Sequence, residues 1–474
     1  MNDLTISLDV HASVPLYEQI YHYIKNEIQN GGLPFKERLP SSRKLADYLQ
    51  VSRTTVNMAY DQLIAEGFIE AVPHRGYFVC DLEGLVHIKP TITQDTGEPV
   101  SGEEVYQFDF SPHGVDLNSF PHNAWRKLSK ELLQEEDKYM FRLGDPQGER
   151  KLRETIAVYL HQARGVNARP EQIIVGAGND FLLLLLCSMF GGSMKIAMES
   201  PTYRKAYDLL RNFSNDVRIV EMDESGMRVE QLEKTGAWLA YVMPSHQYPL
   251  GTVMPVKRRM QLLRWASTGG DGEERYIIED DYDSEFRYKG KPIPALQGYD
   301  RDDRVIYIGT FSKSIAPSIR VSYLVLPMRL MDLYRARAGN ISSTVSRVDQ
   351  MLIAGFLNQG YYERHLNRMR AVYRSRHDVL LEELKAFRGI CRVRGENAGV
   401  HLLLTFTNGM TEEEAIHRAA AQGVRVYGLS GYYVGEARKP AQDTVILGYA
   451  NLSEQEIREA AGRLRAAWLS TEES

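Results

Sequence analysis

The chain has 474 residues, of which 43% are hydrophobic and 25% charged. That is enough apolar material for sizeable cores, which excludes disorder over most of the length. At roughly 150 residues per domain, the starting expectation is about three domains. With 57 Lys and Arg against 62 Asp and Glu, the formal net charge is −5. This excludes a globally basic nucleic-acid coat and leaves room for a local basic patch.

The first ten residues, MNDLTISLDV, have no basic segment and no apolar core, so no secretory signal is read. Pro15 opens a helix whose apolar positions Leu16, Ile20, Tyr23, Ile24 and Ile28 share one face, and Gly31-Gly32 ends it. A second helix follows Leu39-Pro40, with Ser41 or Ser42 as its N-cap, and runs to about Leu49. Gln50-Val51-Ser52 is a tight connection, and Ser52 is placed to cap a third helix from Arg53 to Glu66. Two short helices joined this closely form a helix-turn-helix. Phe68–Val79 then reads as two short strands around a polar turn, a wing.

The third helix would enter a DNA major groove by its N-terminal end, presenting Arg53, Thr54, Thr55 and Asn57. Arg pairs bidentately with guanine and Asn with adenine. Ser41, Ser42 and the N–H groups at the helix starts suit phosphate contacts, Arg43 and Ser52 are further DNA-binding candidates, and His74 and Arg75 at the wing tip would reach a neighbouring groove. Residues 1–80 hold seven basic and nine acidic side chains. Residues 36–53 hold five basic against two acidic, net +3 on the reading side. One such patch binds weakly, so two copies on one repeated or palindromic site are expected.

PLYEQIYHYIKNEI, LPSSRKLADYLQVSRTTV, YDQLIAEGF and GYFV, spread over residues 14–80, closely resemble the winged-helix domain of GntR-type bacterial regulators. The resemblance implies double-stranded operator DNA as a partner.

Residues 81–104 contain Pro90, Pro99, three Gly and six acidic residues against Lys89, and read as an extended linker. The expected division is therefore 1–80, 81–104 and 105–474. Beyond the linker, IIVGAG, MKIAME, WLAYVMP, YIIEDDY, RVIYIGTFSK and SYLVL alternate with helical patterns. This predicts an α/β domain with a mostly parallel sheet. The longest apolar run, Phe181 to Phe190, is too short for a bilayer that needs about 20 residues. Cys80, Cys187 and Cys391 are too dispersed for a metal or redox motif. No metal site, no membrane segment and a cytoplasmic location are expected.

Lys313 follows the strand Val305–Ile308, at a carboxyl end, where α/β folds build sites. Asp280 and Tyr282 end another strand two residues apart and share a face. A carboxylate there suits a protonated pyridine nitrogen, and a phenol suits a phenolate oxygen. Ala177, Gly178 and Asn179 form a turn before a helix N-terminus that can cradle phosphate. Thr310 and Ser312 add hydroxyls, Arg320 adds a countercharge, and Tyr203 offers a ring to stack.

Thr310-Phe311-Ser312-Lys313 with Pro317-Ser318-Ile319-Arg320 resembles a motif of fold-type I aminotransferases that use pyridoxal 5′-phosphate, PLP, across about residues 105–470. The resemblance implies that Lys313 carries the cofactor as an internal aldimine. It implies Asp280 on the pyridine nitrogen, Tyr282 on the O3′ oxygen, Tyr203 stacked, and Ala177, Gly178, Asn179, Ser312 and Arg320 on the phosphate. Two features depart from that family. Tyr248 stands where many relatives place a cofactor-bonding Asn, with His246 or Gln247 nearby as substitutes. The strand Thr444–Ala450 lacks the usual carboxylate-binding Arg, so Arg204, Lys205, His246, Arg425 and Arg438 are the candidates for effector binding.

A GntR-type reader joined to an aminotransferase-like domain resembles the MocR/GabR family of bacterial transcription regulators. That resemblance implies a homodimer and an effector, either an amine, an amino acid or PLP itself, sensed at Lys313. The alternative is a working aminotransferase whose N-terminal domain is incidental.

Overall fold

The computed structural model describes residues 6–9, 12, 14–81, 106–133, 138–192, 194–213, 216–269, 274–288, 293–396, 398–435 and 442–469. The chain forms two compact units, Met1–Gly102 and Glu103–Ser474. Apart from residue 81, the segment read as a linker lies outside the described residues.

In the first unit, α1 (Leu16–Gln29) buries Ile20, Ile24 and Ile28, one turn apart, so a single stripe faces inward. After β1 (Arg38–Leu39) come α2 (Ser42–Leu49) and α3 (Arg53–Ala65). Gln50 closes α2 in the left-handed conformation, at φ 53°. That sharp reversal brings α3 across α2, and Leu45, Val56, Tyr60 and Leu63 join the α1 stripe in one core. The wing is β2 (Ile69–Val72) and β3 (Gly76–Val79), paired antiparallel. Its third strand, β1, pairs with β3 and was not expected, because two residues are too short to show alternation.

The second unit carries an eight-stranded sheet. Its strands are β4 (Ile173–Gly176), β5 (Lys195–Ser200), β6 (Asp216–Asp223), β7 (Gly226–Met227), β8 (Leu239–Val242), β9 (Tyr276–Asp281), β10 (Val305–Thr310) and β11 (Ser322–Val325). Their order is β4-β11-β10-β9-β8-β5-β6-β7. β6, β5, β8, β9 and β10 are parallel neighbours, and β11 runs antiparallel between β10 and β4. All six runs named from the sequence are strands of this sheet. Helices pack its faces; α4 (Asn179–Phe190) is the long apolar run and buries Leu182, Leu183, Leu185 and Leu186. Among the described residues, no helix is long and apolar enough to cross a membrane.

A second sheet of four strands follows: β12 (Cys391–Arg394), β13 (His401–Phe406), β14 (Tyr427–Gly428) and β15 (Thr444–Gly448), in the order β12-β13-β15-β14. The helix Glu454–Leu469 closes its core through Leu464 and Trp468.

Candidate functional site

In the first unit, the helix ends decide what is presented. Ser41 caps α2 by accepting from the Lys44 amide at 3.3 Å, and Ser42 is buried. The choice between these two caps is settled for Ser41, and the Ser42 hydroxyl is not on the surface. Ser52 caps α3 by accepting from the Thr55 amide at 3.1 Å, and the two hydroxyls lie 2.8 Å apart. Ser52 and Thr55 thus shape the helix start. Arg43, Arg53 and Thr54 are exposed and Asn57 is half-buried. His74 and Arg75 are exposed at the wing turn, where His74 takes φ 61°.

In the second unit, the carboxyl ends of β9 and β10 and the start of α4 enclose a cavity of about 270 Å³. Lys313, Asp280, Tyr282, Tyr203, Asn179, Thr310, Ser312 and Arg320 all line it, together with Lys205. Eight residues read from separate stretches of sequence therefore meet on one wall system.

Each group has a physical setting. Asp280 accepts from the buried Tyr241 phenol and, at 3.2 Å, from Asn179 Nδ2. Burial pushes the Asp280 carboxyl up to about 7, more than its Tyr241 hydrogen bond offsets. Burial likewise draws the Lys313 amine down to about 8, while Asp283 pulls the other way. Lys313 Nζ donates to the Pro112 carbonyl at 3.3 Å. Tyr282 is held far above its ordinary range by burial and by Asp283, so it is a phenol at any physiological pH.

The anion corner lies where Gly178, at φ +89°, lets the chain turn into α4 beneath Arg320. Arg320 reaches the Ala177 carbonyl at 3.4 Å and Asp180 at 3.3 Å. Ser312 Oγ and Asn179 Oδ1 are buried here without a hydrogen-bond partner among the described residues. A hydroxyl with its proton unused beside a guanidinium and a helix N-terminus fits a phosphate group. The Ala177 amide is already donated to Thr344 Oγ1 at 3.0 Å, so Ala177 serves the turn more than the cavity.

The effector candidates separate. Lys205 lines the cavity. Arg204, its neighbour, points outward and pairs with Asp208 at 3.1 Å. Arg425 lies over the rings of Tyr106 and Tyr427 at 5.5 and 5.2 Å. His246 is buried behind Tyr282, and Arg438 lies outside the described residues. The outer wall joins Tyr248 to His113 and Tyr432, two groups the sequence did not single out. His113 Nε2 sits 3.3 Å from the Tyr248 phenol, which donates to Tyr432 at 2.9 Å. Burial, then Lys313 and Lys205, hold His113 down to about 4, so it is neutral. A lone His in a loop carries no signal. Tyr241 had one, as a buried Tyr on a central strand.

Residues 16–79 match the family described as bacterial regulatory proteins, gntR family. Residues 114–464 match aminotransferase class I and II. The chain is 39% identical over 98% of both chains to an uncharacterized HTH-type transcriptional regulator, YhdI, of Bacillus subtilis. It is 32% identical to the probable rhizopine catabolism regulatory protein MocR of Rhizobium meliloti, covering 98% of this chain and 96% of that one. Among solved structures, the kynurenine aminotransferase of Pyrococcus horikoshii in complex with PMP is similar at 25% identity. The TM-score is 0.67, over 77% of this chain and 91% of the other. The strand-end Lys and the capped reader helix thus sit in a chain that its relatives match from end to end: it belongs to the MocR-type HTH transcriptional regulators, in which a gntR-type helix-turn-helix precedes an aminotransferase class I and II domain.

Proposed function

We propose that this regulator binds PLP at Lys313 and reports an amine or amino acid, or PLP itself, to operator DNA bound by its N-terminal unit. One observation carries the reading: Lys313, Asp280, Tyr282, Tyr203, Ser312 and Arg320 line a single cavity. When bound, the cofactor supplies an aldehyde that takes up a primary amine in exchange for Lys313.

The chain's own groups divide the work. Lys313 supplies an amine whose proton is easily lost. Asp280, backed by Tyr241 and Asn179, is the buried carboxyl for a ring N–H. Tyr282 is the donor to the ring's phenolate oxygen. Tyr203 covers the ring face. Ser312, Thr310, Arg320 and the Asn179 amide hold the phosphate, and Gly178, whose own amide is donated to the Gly176 carbonyl at 2.9 Å, makes the turn that presents them. Lys205 is the cation left for an effector carboxylate. The outer wall of His113 and Tyr248 excludes water.

On the DNA side, Arg53, Thr54 and Asn57 read base edges. Ser41, Arg43 and the first amides of α2 and α3 meet phosphates, and His74 and Arg75 reach beside the groove. The division of labour is 1–80 reader, 81–104 linker and 105–474 sensor. The protein acts as a cytoplasmic homodimer, because one reader carries too little charge to hold an operator alone. Effector binding shifts the readers only by its differential affinity for the two arrangements.

The test is a visible-absorption titration of the PLP-loaded protein with amines and amino acids, followed by footprinting with each responder. A responder that shifts the band stably and alters the footprint supports the reading. Catalytic release of a 2-oxo acid with no change in footprint overturns it in favour of an aminotransferase.

A further inference from the structure

Behind the cavity, a buried group stands against Tyr282 that the proposed function does not use. His246 Nδ1 lies 2.9 and 3.0 Å from the two carboxylate oxygens of Asp283 and 3.0 Å from the Tyr282 hydroxyl. His246 and Asp283 are almost fully buried. The imidazole is seated between two glycines. A Cβ at Gly399 would overlap the ring, and one at Gly251 would lie 3.3 Å from Nε2. Gly399 and Gly251 take φ +81° and +69°. The ring therefore has one place to be.

The proton positions follow from the partners. Asp283 only accepts, so Nδ1 carries the hydrogen. That N–H lies between Asp283 and the Tyr282 oxygen, where it competes for the carboxylate with the Tyr282 O–H, itself within hydrogen-bond reach of Asp283. The other titratable or charged groups around the pair are His401, Tyr248, Lys313 and Asp280, the phenols of Tyr288 and Tyr449, and Arg164 and Arg287, which line a small cavity with His246 and Asp283. The His401 ring lies tilted, 5.7 Å from the His246 ring, and its Nε2 is 2.8 Å from the Pro249 carbonyl. Burial, then His246, hold His401 down to about 4, so it adds no charge near neutral pH.

We propose that His246, anchored on Asp283, is a positioning residue that turns the Tyr282 O–H into the cavity as the donor to a ligand's phenolate oxygen. The inference rests on the reading of the cavity as the PLP site. It moves His246 from the effector candidates to the support of Tyr282. Without the imidazole, Asp283 captures the Tyr282 proton and the ligand oxygen loses its donor. A phenolate without that donor holds the proton it shares with the Lys313 nitrogen more tightly.

The experiment is a pH titration of the visible band of the full-length, PLP-loaded protein. His246→Ala should raise the midpoint by about one pH unit, a tenfold change in proton affinity. His246→Asn returns an N–H near the same place and should restore most of the midpoint, which a packing role alone would not predict. Removing His246 also leaves Asp283 unpaired, and that charge alone would raise the midpoint. Adding His246→Ala to Tyr282→Phe separates the two effects, because an effect routed through Tyr282 vanishes in that background. A shift that persists there, or a His246→Ala midpoint equal to the parent's, overturns the proposal. A parent protein with no visible band overturns the cofactor reading itself, and this inference with it.

Discussion

Gly178 and Arg320 compete for one volume: a Cβ at position 178 would run into the Arg320 guanidinium. The turn into α4 and the cation above it are thus a matched pair, and each limits the other. Gly178→Ala adds a steric clash to a backbone strained at φ +89° for any L side chain. We expect it to displace Arg320 and to weaken PLP binding at least about tenfold, the scale of losing one charge-assisted contact. Equilibrium titration with PLP measures this. Arg320→Ala should cost a similar amount, and the double variant should cost less than the sum, because both act on one contact. Full additivity would mean that the glycine serves only the turn.

Lys313→Ala should abolish the visible band on PLP addition and leave operator affinity of the unloaded protein unchanged. The parent adds a pH test. The neutral amine is the nucleophile, and burial holds Lys313 at about 8. The rate at which the band appears should therefore climb with pH and level off above about 8. A rate still climbing at pH 10 would mean that Lys313 is not the capturing amine.

Asp280 makes the unloaded protein sensitive to pH. Its carboxyl is raised from 3.8 to about 7 by burial, so the folded state keeps a proton that the unfolded chain releases. Stability from this group is full below pH 3.8 and is lost as pH rises toward 7, by up to about 4 kcal/mol. Glu199, Glu279 and Glu285, also pushed up to about 7 by burial, act in the same direction. Asp280→Asn keeps an acceptor for Tyr241 and cannot ionise. Its melting temperature should exceed the parent's at pH 8 and approach it at pH 4, while PLP binding weakens. Equal differences at both pH values would refute the charge argument.

Much of this was legible because the chemistry is written in short, contiguous patterns. The strand-then-Lys order placed Lys313, and the Ser-capped segments placed both reader helices. What was not legible depends on register and rotation. Tyr241 meets Asp280 because β8 and β9 pair with Tyr241 opposite Ile278, and no local pattern encodes that pairing. Arg204 and Lys205 are adjacent on one helix, and a rotation of about 100° sends one outward and the other to the cavity. Sequence distance could not choose between them. Strand β6, between β5 and the short edge strand β7, escaped notice because exposed polar residues interrupt its apolar run.

Arg164 and Asp281 form a buried pair at 2.8 Å one residue from Asp280, and Arg164 also reaches Ser245 at 2.7 Å. Arg164→Ala strands a carboxylate deep beside the site. The expected loss is about 3–5 kcal/mol, read by denaturant unfolding. Arg164→Ala/Asp281→Asn removes the stranded charge and should recover part of it. No recovery would assign the loss to packing instead.

On the DNA side, base reading and phosphate binding predict different losses. Arg53 is exposed at the capped start of α3, so Arg53→Ala should cost about 1–3 kcal/mol on the operator and little on unrelated duplex. Arg43 lies in the first turn of α2, and Arg43→Ala should weaken both duplexes alike and flatten the salt dependence by about one unit of slope. Anisotropy titrations at two salt concentrations separate the two. If Arg53→Ala weakens both duplexes equally, Arg53 is a phosphate contact and base reading falls to Thr54 and Asn57.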